Sequence, residues 1–187
     1  MNLFGMLVLS LVIGIVRRGD LGAIGRQRWR VPVLPVLALV LQIIAFLPDE
    51  SAPGARPFAA LLHGLSYGLM VAFVLANRTI PWMLLAGLGV AANAIAIVAN
   101  GGFMPVSSAA LLSTPGVEIA TRGHYNNAML MAADTRLWFL GDVFKTPEWF
   151  PLRRAFSIGD LAIAIGTFAM VQGLMRGRGR ARCGGAA

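Results

Sequence analysis

Five apolar runs dominate this chain: Met1–Val16, Val31–Leu47, Phe58–Leu75, Trp82–Ala99 and Ile158–Met175. A helix needs about 17 to 25 such residues to cross a bilayer, and only a helix or a closed barrel can pair all its backbone groups in lipid. The spacing predicts an all-α polytopic membrane protein of five transmembrane helices, the first marginal in length. Composition agrees, with 13% charged residues against about 25% in soluble domains. The 187 residues suit one helical domain, 1–175, followed by a basic Gly/Arg tail, 176–187.

Orientation follows from the arginines. Arg17, Arg18, Arg26, Arg28 and Arg30 come after the first run, whereas a secretory signal carries its positive charges before the apolar core. The first run is therefore expected to stay in the membrane with Met1 outside. Alternating sides then gathers ten basic residues and one acid inside, with six basic and six acidic residues outside. This predicts an N-out, C-in protein of the cytoplasmic membrane and accounts for the net charge of +8 without nucleic acid. The basic tail is suited to anionic headgroups. A single cysteine, Cys183, excludes internal disulfides, CxxC redox pairs and cysteine-based metal clusters.

Polar residues within apolar runs are candidates for function because lipid penalises them. His63, Ser66 and Tyr67 share one helical face. His63 is weighed as a haem, pigment or metal ligand against a hydrogen-bonded packing residue. The second reading is favoured, because the other histidine, His124, lies outside the runs and supplies no axial partner. Asn93 and Asn100 also share a face and are read first as amide ties between helices, second as the lining of a polar pocket. Ser157-Ile158-Gly159-Asp160 has capping-box spacing, a role for Asp160 compatible with pocket or ion-pair work. Gly64, Gly68 and Ala72, and likewise Gly159, Ala162 and Gly166, form small-residue stripes expected at helix contacts. Asn77-Arg78-Thr79 matches a glycosylation sequon but falls on the cytoplasmic side, so it is read as accidental.

The one long stretch between runs, 100–155, opens with the helix break Asn100-Gly101-Gly102 and the stop Pro105. It contains SSAALLS, suited to a short helix, and the aromatic residues Trp138, Phe139, Trp149 and Phe150, suited to a membrane interface. Too apolar for a solvated linker, it is expected to form an ordered extracytoplasmic cap. Asp142 and Asp160 make a carboxylate pair for which acid/base chemistry is the minor reading and turn or cap duty the major one. Methionine ligation of copper by Met104, Met129 and Met131 ranks below packing.

The ordered set ANR (Ala76–Arg78), the Asn93 helix, NGGFMPV (Asn100–Val106), LGD (Leu140–Asp142) and FSIGD (Phe156–Asp160) resembles domain of unknown function 5317. That resemblance implies a bacterial inner-membrane protein and no established activity, ligand or cofactor. It singles out Asn77, Arg78, Asn93, Asn100, Gly101, Gly102, Met104, Pro105, Asp142 and Asp160.

Three functions remain in play. The first is a noncatalytic structural or accessory component whose cap binds membrane lipid, a protein complex or a second copy of the chain. The second is a small carrier with a polar site under the cap, built from His63, Tyr67, Asn93, Asn100, Asp142 and Asp160. The third is an enzyme on a lipid-linked substrate, ranked last because no nucleophile, metal cluster or phosphate loop is evident. No cofactor, metal or nucleic acid is expected.

Overall fold

The computed structural model describes residues 3–46, 54–112, 124–125, 127–147, 149 and 154–176. The basic tail from residue 177, with Cys183, and the turn at Thr114-Pro115-Gly116 lie outside the described residues.

The chain is mostly helical: α1 (Leu3–Val16), α2 (Gly22–Arg26), α3 (Val33–Ala45), α4 (Ala55–Ala76), α5 (Met83–Ala99), α6 (Ser108–Leu112) and α7 (Ile158–Arg176). The five long helices coincide with the five apolar runs, but among the described residues only α4, of 22 residues, and α7, of 19, are long and apolar enough by themselves to cross a membrane. The others fall short, with 14 residues in α1, 13 in α3 and 17 in α5. The trimming has local causes. Val31 and Trp82 both sit at positive φ, at 47° and 68°, which delays the start of α3 and α5.

The helices pack in the order α3–α4–α5–α7–α1. Contacts at α5–α7 are close because glycines remove side chains from the interface. A Cβ on Gly89 would overlap the Gly159 carbonyl, one on Gly159 would overlap Asn93 Oδ1, and one on Gly166 would overlap the Ala86 backbone. Gly64 and Gly68 behave differently: a Cβ at either would meet nothing, so these two glycines of the stripe expected on α4 make no close contact among the described residues. The close approaches to α4 come instead from glycines outside it: a Cβ on Gly87 would overlap Val74, and one on Gly102 would overlap Ala60.

The chain's reversals bring the end of α1, the start of α3, the end of α4, the start of α5 and the end of α7 together. The Asp20 amide donates to the Met175 carbonyl at 3.0 Å. Asn77 accepts from the Arg30 amide and donates to the Arg30 carbonyl, both at 2.9 Å. Asn77 is 2% exposed, and its Nδ2 also donates to the Phe73 carbonyl, so it has no room for a glycan.

The opposite end carries the cap, where an all-α expectation needs correction. β1 (Met104–Val106) pairs parallel with β3 (Ala128–Leu130), which pairs antiparallel with β2 (His124–Tyr125). β4 (Phe144–Lys145) pairs antiparallel with β5 (Ala155–Phe156). Gly101 and Pro105 end helical pairing, and the freed backbone groups find partners across short strands instead. Phe103 seats the cap in the bundle against Ala45 and Ala59, and Met104 does so against Ala96 and Ile97. Trp138 and Phe139, in the 3-10 turn, are exposed, as is Trp149.

Candidate functional site

Where α5 ends, Gly101 takes φ +70° and the Gly102 amide donates to the Ile97 carbonyl at 2.8 Å, the closing bond of a Schellman turn. Asn100, the cap of this helix, then reaches out to the cap segment. Its Nδ2 donates to the carbonyls of Ala96 and Arg136, each at 2.8 Å, and its Oδ1 accepts from the Arg136 amide at 2.9 Å. The neighbouring Gly102 carbonyl is bonded by His63 Nδ1 at 2.8 Å. His63 is also held edge-on by Phe46 and Tyr67. The histidine is thus a buried tie between α4 and the glycine turn.

At the other edge of the cap, Ser157 and Asp160 form the capping box. The Asp160 amide donates to Ser157 Oγ at 2.9 Å, and the Ser157 amide donates to Asp160 Oδ2 at 3.3 Å. Asn93 joins it from α5, donating from Nδ2 to Asp160 Oδ1 at 2.7 Å and accepting from Ser157 Oγ at 2.9 Å. Gly159 is what lets the Asn93 amide approach the start of α7 so closely.

Asp142 completes the group from the cap. Its backbone is fixed by β1: the Asp142 amide donates to the Pro105 carbonyl at 2.8 Å, and its carbonyl accepts from the Ser107 amide at 3.1 Å. Its side chain is not so well served, because the buried Oδ1 has no hydrogen-bond partner. Burial, with the Asp160 charge adding to it, pushes the Asp142 carboxyl up from 3.8 to about 7. Tyr67 lies beside the Asn93 side chain and within electrostatic range of both aspartates.

Of the residues predicted to form a polar site, Tyr67, Asn93, Asp142 and Asp160 therefore gather in one place. His63 touches that place through the Tyr67 ring, while Asn100 faces Arg136 instead. Among the cap-motif residues, Gly101 and Gly102 make the turn, and Met104 and Pro105 are buried in β1. Among the described residues no group of three or more His, Cys, Asp or Glu side chains converges.

Sequence reasoning missed three ties. Gln172 Nε2 donates to the Ser10 carbonyl at 2.6 Å, joining α7 to α1. Gln42 Nε2 donates to Ser66 Oγ at 3.0 Å, joining α3 to α4. Gly89 provides the close approach to Gly159. The signal for the first two was present, since a polar side chain within an apolar run needs a partner.

Comparison with known proteins adds one match. The model of a family of unknown function (DUF5317) matches residues 28–172, a span that takes in the cap and every member of the polar group and leaves out α1 and α2. No curated protein and no solved structure matches the chain.

Proposed function

The chain belongs to the DUF5317 family, and from that premise we propose that it is a noncatalytic integral membrane protein whose cap, latched to the helix bundle, binds a partner or lipid. In this reading all five long helices cross a bacterial cytoplasmic membrane, with the N-terminus outside and the C-terminus in the cytoplasm. Its support is an inside-out distribution of polarity. Leu61, Leu88 and Val98 are 61%, 67% and 67% exposed on outward faces, while Ser10, His63, Ser66, Asn93 and Gln172 are buried within. Apolar faces this extensive are rare on soluble monomers. Arg17, Arg18, Arg28, Arg30, Arg78 and Arg176 all belong to the bundle end away from the cap, as the positive-inside rule requires of a cytoplasmic face. The shorter helices, at about 20 to 26 Å for α3 and α5, match a locally thinned bilayer.

The observation that carries the noncatalytic reading is the closure of the Asn93–Ser157–Asp160 network on itself. Its polar atoms hold α5, α7 and the cap in register, and none is left aimed at a substrate. The test is affinity purification in mild detergent with quantitative proteomics and lipid analysis. A lipid or protein should copurify with both the parent and Asp160→Asn chains. Purification of a bare monomer, or a lipid-modifying activity abolished by Asp142→Asn in a chain of unchanged melting temperature, would refute the reading.

One feature favours the carrier as a second reading: the unpartnered Asp142 Oδ1 beside Asp160. A proton or cation moving through the protein would pause there. Proteoliposomes loaded with a pH-sensitive dye test it, since a carrier requires flux that Asp142→Asn removes.

A further inference from the structure

A groove of about 610 Å³ runs along the side of the bundle, within the range of about 300 to 1,000 Å³ typical of small-molecule sites. Pro35 and Leu39 of α3 line one wall, Thr167 and Met170 of α7 the other, and Phe73 of α4 is part of the floor. Leu39 is 58% exposed, so the groove opens sideways rather than into the interior. Trp29 lines its far end, opposite the cap.

That end is electropositive. Trp29 stands between Arg28 and Arg30, both exposed. The paired hydrogen bonds between Asn77 and the Arg30 backbone put exposed Arg78 one residue from that contact. Among the described residues the one salt bridge is Arg26 with Asp20, so none of these three guanidiniums is neutralised there. An apolar slot whose end residue Trp29 is flanked in the chain by two exposed arginines, with Arg78 beside the residue bonded to Arg30, is complementary to a molecule with a long apolar chain and an anionic head.

We infer that the groove holds an acyl chain of an anionic phospholipid, with its phosphate at Arg28, Arg30 and Arg78. The inference rests on the membrane-spanning reading, which puts this mouth at the cytoplasmic headgroup level, where anionic lipids attract basic side chains. A second copy of the chain fits the groove less well. A two-fold axis along the membrane normal would bring two sets of like guanidiniums to the same depth.

Trp29 is the reporter. In the full chain carrying Trp82→Phe, Trp138→Phe and Trp149→Phe it is the remaining tryptophan. That chain is reconstituted in phosphatidylcholine vesicles containing increasing fractions of dibrominated phosphatidylglycerol or dibrominated phosphatidylcholine, whose bromines quench indole on contact. Half-quenching is expected at about a fivefold lower fraction of the phosphatidylglycerol, the effect of one arginine near the surface. The triple variant Arg28→Gln, Arg30→Gln, Arg78→Gln should equalise the two lipids. Thr167→Phe, which fills the slot, should reduce quenching by both, while Thr167→Val should leave it unchanged. Equal quenching by both lipids in the parent chain overturns the inference. So does indifference to Thr167→Phe, or a dimer in which Trp29 is shielded from both. A chain that alkaline carbonate strips from the vesicles refutes the membrane-spanning reading itself. An integrated chain without lipid preference refutes only the groove's occupant.

Discussion

Asn93 on α5 donates to Asp160 on α7 at 2.7 Å while its own carbonyl oxygen accepts from Ser157 at 2.9 Å. One amide thus meets a donor and an acceptor at the start of α7 and joins the capping box to a second helix. Replacing it with leucine strands a buried hydroxyl and a carboxylate oxygen, at a cost of about 1 to 3 kcal/mol for each unsatisfied group. Asn93→Leu should lower the detergent melting temperature, and Ser157→Ala should lower it less. Equal melting of Asn93→Leu and the parent would show that the network contributes nothing.

The glycines separate into two classes. Gly89→Ala and Gly159→Ala place a methyl group into backbone or into the Asn93 amide, and overpacking of this kind costs about 1 to 3 kcal/mol. Gly64→Ala and Gly68→Ala enter open space on a helix, where alanine is favoured by about 1 kcal/mol. Melting temperatures should fall for the first pair and hold or rise for the second. A fall at Gly64 or Gly68 would instead place that face of α4 against another molecule.

Asp142 makes stability depend on pH in a stated direction. Its carboxyl is raised from 3.8 to about 7, so the folded chain keeps a proton that the unfolded chain releases. The stabilisation is fully present below about 3.8 and is lost as pH climbs through about 7. Melting temperature measured between pH 4 and 8 should therefore fall more steeply with rising pH in the parent than in Asp142→Asn. Parallel curves would remove Asp142 as the source.

Asn100 grips both backbone groups of Arg136. Asn100→Ala should loosen the cap without unfolding the helices, so amide exchange should accelerate in 131–142 and remain slow in α4 and α7. Uniform acceleration would mean that Asn100 supports the whole fold and not the cap alone.

Much of this was legible in the linear sequence. The apolar runs mark where the long helices lie, NGG ends α5, and S-I-G-D starts α7 with both capping bonds in place. These signals are local, carried by residues within four positions of one another. The short strands of the cap were not legible, because β1 finds its partner β3 more than twenty residues away and neither segment alternates over a useful length. Gly64 and Gly68 and Gly159 and Gly166 were alike read as small-residue stripes, yet among the described residues only the second pair meets another helix. Periodicity identifies a face and says nothing about its neighbour.

The linear chain was enough to locate the five long helices, the end of α5 and the start of α7, because hydrophobicity and glycine and capping geometry act along the chain. It took the packed fold to show that Asn93 meets Asp160, that the Asp142 carboxylate has an unpartnered oxygen, and that an apolar groove between α3 and α7 reaches Trp29. Those relations depend on which helix faces are pressed together. Close packing at particular glycines settles that choice, and it joins residues far apart in the chain, as Asn93 and Asp160 are.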